Sequence, residues 1–316
     1  MEQEKEGKQM KFDFVGNRKI FFGIALVFII IAFVSFFTKG FEQDIEFKGG
    51  TIIEIDLASE ANNSEIEALI KEVVPSEQPR VQKSEQRDEN GNVVKSGITI
   101  STSALEEEQK NQVVNKIAEK YGIEDIDSKA TFRTVKPTFG DEMKSRAVKA
   151  TVWASIAIII YIALGFKKIG GMSAAISAFM ALAHDIIITI MAYSVFGLPL
   201  NTTFVAVVLT ILGYSVNDTV VIYDRIRENQ NLHRKMPIGE LINLSINQSL
   251  RRTMFTSVSV IVALALLFGF SIYFNVASIQ EFSLPLLVGM IAGTYSSICL
   301  SANLWSVWMM RKAKKA

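Results

Sequence analysis

Six stretches of the chain, residues 20–38, 148–166, 171–196, 201–224, 252–273 and 283–309, are apolar enough and long enough to cross a bilayer. A spanning helix needs about 20 such residues for a ~30 Å hydrocarbon core. Lipid offers the backbone no hydrogen-bond partners, so each stretch must satisfy its own N–H and C=O groups by coiling into a helix. Composition agrees, with 49% hydrophobic residues and a mean hydropathy of +0.28, too apolar for an ordinary soluble protein. The expected fold class is a polytopic α-helical membrane protein with six transmembrane helices and one extracytoplasmic α+β domain between helices 1 and 2. The first stretch reads as an uncleaved anchor. It exceeds the apolar core of a signal peptide, and Ser35-Phe36-Phe37-Thr38-Lys39 offers no small-x-small cleavage site.

Charge sets the orientation. Lys5, Lys8, Lys11, Arg18 and Lys19 precede the first span; Lys167 and Lys168 follow the second; Arg225, Arg227, Arg234, Lys235 and Arg251 lie between the fourth and fifth; Arg311, Lys312, Lys314 and Lys315 end the chain. The alternate connections, 197–200 and 274–282, carry no Lys or Arg. By the positive-inside rule the N-tail 1–19, the loop 225–251 and the C-tail 310–316 are cytoplasmic. The 39–147 module is then outside; Lys144, Arg146 and Lys149 flank the second span on the outer side, a signal that a large translocated domain weakens. Residues 236–250 read as an amphipathic helix lying along the cytoplasmic face.

The 39–147 module carries 15 basic and 22 acidic residues, which marks it as a solvated unit distinct from the basic membrane flanks. Residues 50–57 alternate as a half-buried strand, and 63–74 have helical spacing stopped at Pro75. Residues 79–86 and 93–102 read as strands joined through the turn Asp88-Glu89-Asn90-Gly91. Residues 103–121 read as a helix opened by Ser103 and Glu106, and 126–136 as a last strand. This βαββαβ order is that of a ferredoxin-like split βαβ unit. Its acids are scattered and form no catalytic cluster. Two histidines and the single Cys299 do not make a usual zinc site, so no metal or cofactor is expected.

Inside the spans the informative residues are polar. Asp218 lies deep in the fourth, beside Asn217. A charge there costs at least ~2.5–3.5 kcal/mol and persists only facing protein or water, which by default marks an ion or proton path. His184-Asp185 falls near the middle of the third span, and Asp185 reads either as a packed hydrogen-bonding group or as part of that path. Small or polar stripes recur at helical spacing: Ser173, Ser177, Ala181, Asp185 and Thr189; Ala206, Thr210, Gly213 and Asn217; Gly289, Gly293, Ser297 and Ser301. Such stripes let helices approach closely. Arg252 opens the fifth span, either as an interfacial anchor or turned inward at the level of Asp218 to hold its carboxylate ionised. Asp224 and Arg225 lie at the inner surface.

The stretch Gly213-Tyr214-Ser215-Val216-Asn217-Asp218-Thr219-Val220-Val221-Ile222-Tyr223-Asp224-Arg225-Ile226-Arg227-Glu228-Asn229 resembles the signature of the SecF family, membrane subunits of the bacterial protein-export machinery. Phe47-Lys48-Gly49-Gly50-Thr51, Ala181-Leu182-Ala183-His184-Asp185 and Arg252-Thr253 with Thr256-Ser257 agree, and the resemblance covers essentially the whole chain. It implies a half of a resistance-nodulation-division-type core that pairs with SecD in the bacterial cytoplasmic membrane and associates with the SecYEG channel. The SecA-associated translocation complex, accessory proteins of the YidC and YajC type, unfolded preproteins and membrane lipids are further implied partners; nucleic acid is not. The implied work is non-enzymatic: a proton or sodium gradient helps draw preproteins outward after the SecA-driven step, with H⁺ or Na⁺ as the only small species handled. The resemblance ties Asp218 and Arg252 to ion conduction, with Asp185 and Asn217 beside them and His184, Arg251, Asp224 and Arg225 as secondary candidates. Arg251 stands where the family often has a non-basic residue or His, which leaves open which arginine points inward. Three other classes share some of these features: a half-transporter of lipids or small molecules, an intramembrane aspartyl protease using Asp185 and Asp218, and a passive scaffold.

Overall fold

The computed structural model of the chain describes residues 12–57, 62–75, 79–87, 93–123, 129–274 and 276–313. Their order is α1 (Arg18–Lys39), α2 (Ile45–Lys48), β1 (Gly50–Leu57), α3 (Asn63–Val73), β2 (Arg80–Arg87), β3 (Val93–Thr102), α4 (Glu107–Tyr121) and β4 (Ala130–Val135). Then come α5 (Pro137–Gly165), α6 (Gly171–Phe196), α7 (Thr202–Leu232), α8 (Ile238–Tyr273), α9 (Ala277–Tyr295), a π-helical segment Ser296–Ser301, and α10 (Ala302–Ala313). Six helices among the described residues are long and apolar enough to span a membrane: α1, α5, α6, α7, α8 and the continuous rod from α9 to α10. The chain is a mostly helical, polytopic membrane protein.

Burial ranks these helices. In the most apolar window of α6, α7 and the α9–α10 rod, 56, 50 and 72% of residues are buried inside the chain; in α1, α5 and α8 the share is 17, 6 and 11%. The first three therefore form the centre of the bundle, and the others wrap it with faces left to lipid or a partner. Gly289 of α9 shows how close the centre is packed. A Cβ there would stand 2.1 Å from Ile211 Cδ1 and 2.6 Å from Thr189 Oγ1.

The four strands form one sheet in the order β2-β3-β1-β4, with every neighbouring pair antiparallel. Ile53, Ile55 and Leu57 of β1 and Ile98 and Ile100 of β3 bury one face under Ile66 and Ile70 of α3 and Val113, Val114 and Ile117 of α4. The cap of α4 differs from the sequence expectation. The helix starts at Glu107, and Gln109 Oε1 accepts from Glu106 N at 3.0 Å, so the box lies three residues beyond Ser103. The intervening chain is held to the sheet, with Leu105 N donating to Thr51 Oγ1 at 3.2 Å. The turn 88–91 expected between β2 and β3 lies outside the described residues.

Two helix limits correct the sequence reading. First, α5 begins at Pro137, so 137–147 is helix continuous with the second span and not part of the α+β fold. Proline is suited to a helix start because its missing N–H is unsatisfied there anyway. Gly140, one turn in, lies against the backbone of α2: an added Cβ would stand 2.5 Å from Phe47 O and 2.7 Å from Phe47 C. Backbone cannot give way as a side-chain tip can, so Gly140→Ala is expected to destabilise the chain by about 1–3 kcal/mol, as overpacking does. Thermal unfolding of the detergent-solubilised protein measures this, and an unchanged midpoint would refute the contact.

Second, 236–250 is no separate surface helix. It is the first part of α8, whose 36 residues span about 54 Å at 1.5 Å each, well beyond the membrane core. No proline interrupts it after Pro237. Its apolar residues Leu241, Ile242 and Ile246 are buried against protein, in a cluster with Phe14, Ile226 and Trp305. An N-terminal strap completes the cover: Asn243 Oδ1 accepts from Val15 N at 3.0 Å, and Asn247 Oδ1 accepts from Phe12 N at 3.0 Å.

At the opposite end the α+β unit is fastened to the bundle. Leu200 N donates to Glu42 O at 2.8 Å and Asp44 N to Leu200 O at 3.0 Å. Glu46 accepts from Thr202 N at 3.0 Å and Thr202 Oγ1 at 2.7 Å, satisfying the start of α7. Glu281 of α9 accepts from Arg80 at 3.3 Å, Gln82 at 3.0 Å and Asn201 at 3.1 Å. Asp44 sits close by, and burial raises its carboxyl above the usual range.

Candidate functional site

The buried face of α7 is spelled out at helical spacing by Val207, Ile211, Ser215, Asp218, Thr219, Ile222, Tyr223 and Ile226. It meets Asp185 of α6 and the serines of the π segment. Two carboxylates lie in this interior, each in its own setting.

Asp185 is completely buried. Its Oδ2 accepts from Ser215 Oγ and from Ser296 Oγ, both at 2.7 Å, and its Oδ1 lies 3.1 Å from His184 Nδ1. His184 Nε2 is buried without a partner among the described residues. Hydroxyls continue from there along the seam. Ser297 Oγ donates to Ser215 O at 3.0 Å, Thr219 Oγ1 donates to Ser297 Oγ at 3.2 Å, and Tyr223 OH lies 2.9 Å from Ser301 Oγ. The π segment makes this possible: it turns two successive serines inward, Ser296 to α6 and Ser297 to α7. Such bulges recur at functional positions.

Asp218 is 2% exposed. Its Oδ2 accepts from Ser257 Oγ of α8 at 3.1 Å. One turn before Asp218, the Tyr214 hydroxyl lies beside the same Ser257, and one turn before Ser257, Thr253 Oγ1 is buried without a partner among the described residues. The carboxylate thus faces a hydroxyl from another helix, with a second hydroxyl of its own helix beside that donor and an unmatched one on the same face of α8.

Neither arginine completes this group in the described conformation. Arg252 and Arg251 are both exposed. Among the described residues Asp218 has no basic side chain within 4 Å, and Arg251 stacks on the Phe255 ring, 5.7 Å from its centroid. Asn217 is exposed with Ala206, Thr210 and Gly213, so their stripe faces away from the bundle. Asp224 pairs with Arg227, while Arg225 Nε donates to Gln248 Oε1 at 2.7 Å. Asn229 Nδ2 also reaches Gln248 Oε1, at 2.8 Å, so this surface set fastens the extension of α7 to that of α8. It lies about 9 Å along the helix from Asp218.

Sequence reasoning passed over Ser215, Ser257, Ser296, Thr253 and Tyr214 as site residues. The available signal was the density of hydroxyls in Ser296-Ser297-Ile298-Cys299-Leu300-Ser301 and their absence from the lipid-facing helix α1 before Ser35.

The family model described as protein export membrane protein SecD/SecF, C-terminal, matches residues 113–311. The protein translocase subunit SecF of Sebaldella termitidis is 34% identical over 301 residues, covering 95% of this chain and 92% of that one. The chain belongs to the SecD/SecF family. Among SecD/SecF proteins, the SecDF of Bacillus subtilis is 30% identical over 308 residues, 96% of this chain and 39% of that one. The crystal structure of SecDF from Thermus thermophilus, titled a translocon-associated membrane protein, superposes with a TM-score of 0.78 at 29% identity. The chain covers 39% of that SecDF polypeptide, while 95% of this chain is matched. As a SecD/SecF member with six apolar helices, it is a multi-pass membrane protein of Sec protein transport.

Proposed function

We propose that this chain is the SecF-type half of a gradient-driven export motor in the bacterial cytoplasmic membrane, with both termini in the cytoplasm and the α+β unit outside. The observation that carries the proposal is the enclosed carboxylate of Asp218, held by Ser257 from a second helix, in a chain that parallels SecF relatives along nearly their full length. The strand order β2-β3-β1-β4 with antiparallel neighbours supports reading the outer unit as a ferredoxin-like split βαβ.

A SecD-type chain is the proposed partner. SecDF relatives of which this chain matches 39% leave room for a second half in the same polypeptide. The exposed stripe Ala206, Thr210, Gly213 and Asn217 offers the close approach that small residues give a neighbouring helix. SecYEG, SecA-bound preprotein and accessory YidC- or YajC-type subunits are then further partners. The chain acts as a transporter subunit and not an enzyme, and needs no cofactor beyond the H⁺ or Na⁺ it moves.

In the proposed cycle Asp218 gains and loses its ion, and Arg252 swings inward to pair with the bare carboxylate; the described conformation is the unpaired one. Each charge crossing the membrane releases ~2.3 kcal/mol per 100 mV, enough to bias a two-state helix pairing. The fastening of 42–46, Arg80 and Gln82 to α7 and α9 gives that shift a route to the outer unit. Separate networks around Asp185 and Asp218 argue against an aspartyl protease dyad, and the names of the relatives argue against a lipid or small-molecule exporter.

Sealed inverted vesicles containing the Sec channel, SecA, a SecD-type partner and this chain test the proposal. Preprotein protected from protease is expected to rise with an imposed proton or sodium gradient only when the chain is present. Equal protection with and without the chain, under both gradients, would refute it.

A further inference from the structure

We propose that a groove at the cytoplasmic end of the bundle, between α1, α6 and α10, is a binding site for an anionic phospholipid of the inner leaflet. The start of α1, the start of α6 and the end of α10 meet there, and the groove encloses about 550 Å³. Its wall is apolar: Phe22, Met180, Leu304, Val307 and Trp308. Met180 and Trp308 are half exposed, at 52 and 50%, which is acyl-chain surface without a cover from this chain. Its lip is cationic, formed by Arg311 and Lys312, and no carboxylate lines it among the described residues.

A second, independent feature lies deeper. Ser177 lines the groove, is 2% exposed, and makes no hydrogen bond among the described residues. It stands about 9 Å inward from the start of α6, the depth at which a phospholipid's glycerol ester needs a donor when its phosphate lies at the surface. Trp308 has the mixed character of side chains that settle at the headgroup boundary. Two charges at the lip select a phosphodiester with net negative charge over a zwitterionic headgroup, because cationic pockets between helices on the cytoplasmic side draw anionic lipid. The occupant is therefore a glycerophospholipid with an unneutralised phosphate, lying with one chain against Phe22 and Leu304. This inference rests on the proposed orientation, with both termini in the cytoplasm, and not on the ion coupling.

Native mass spectrometry of the full chain, released from nanodiscs of equal phosphatidylglycerol and phosphatidylcholine, measures which lipid stays bound. Phosphatidylglycerol is expected to dominate, and its excess to fall about fivefold for each charge removed in Arg311→Gln and Lys312→Gln. Equal retention of the two lipids by the unaltered chain, or an undiminished excess in the double variant, would overturn the site. A photocrosslinking residue in place of Trp308 in whole membranes gives a second reading. Lipid adducts support the proposal, whereas adducts to another polypeptide mean that a helix fills the groove and sink it.

Discussion

Asp218→Asn is expected to abolish the gradient-dependent part of preprotein export while leaving the protein folded and inserted. Asparagine keeps the volume of aspartate, and its Oδ1 still accepts from Ser257 Oγ, now 3.1 Å from the carboxylate. What it loses is the ability to bind and release a proton or to balance a cation. If one charge per step is coupled through this position, the lost bias is worth up to ~50-fold in an equilibrium at about 100 mV. Export driven by SecA alone is expected to remain. The paired measurement is preprotein protection in energised vesicles alongside the unfolding midpoint in detergent. Gradient-dependent export at the level of the unaltered chain would end the assignment of Asp218 to the ion path. Ser257→Ala is a milder companion, because a buried acceptor left unmatched costs about 1–3 kcal/mol.

The two carboxylates differ in a way that supports giving them different roles in the proposed cycle. Asp185 has hydroxyl donors from two other elements and an imidazole beside it, all at 3.1 Å or less. Asp218 has one donor, Ser257, which Tyr214 also reaches, and Thr253 one turn away is unmatched among the described residues. A saturated group holds a structure in place, since every change of state breaks several hydrogen bonds at once. An unsaturated one can exchange partners at lower cost, which is what a cycling ion site requires.

What was legible in the sequence follows from what lipid enforces. Spans are visible because unbroken apolar runs have one solution in a bilayer, and α6 ends where it does because Gly170 and Gly197 both have positive φ. The first strand was readable because Ile53, Ile55 and Leu57 alternate against a single buried face. The amphipathic start of α8 was misread for a definite reason. An apolar stripe such as Leu241, Ile242 and Ile246 looks the same whether lipid or protein covers it, and here Phe14 and Trp305 do. The π segment showed its serines in the composition but not its register, since one extra residue in a helical ladder changes register and not character. Arg252 was read as opening a helix, whereas it lies well inside the continuous α8, and its exposure depends on the rotation of α8 against α7. The hydroxyl that meets Asp218 depends on that same rotation.

Asp185→Ala is expected to be the most damaging substitution for stability. It strips the acceptor from Ser215 and Ser296 and the partner from His184, all of them buried. The two hydroxyls keep only their longer contacts, Ser296 Oγ to Gly293 O at 3.2 Å and Ser215 Oγ to Ser297 Oγ at 3.3 Å, so the lost charge-assisted bonds imply a loss of about 1.5–3 kcal/mol each before any cavity is counted. Much of a domain's stability is of that size, so the variant is expected to unfold at a markedly lower temperature or fail to accumulate. Asp185→Asn separates structure from ion chemistry. Serine hydroxyls rotate freely and can donate to the amide oxygen or accept from its nitrogen, so the network re-forms without a charge. If Asp185 is an anchor for α6, α7 and the π segment, Asp185→Asn keeps most of its stability and at least half of gradient-dependent export. A variant that stays folded yet loses that export completely would place Asp185 on the ion path beside Asp218.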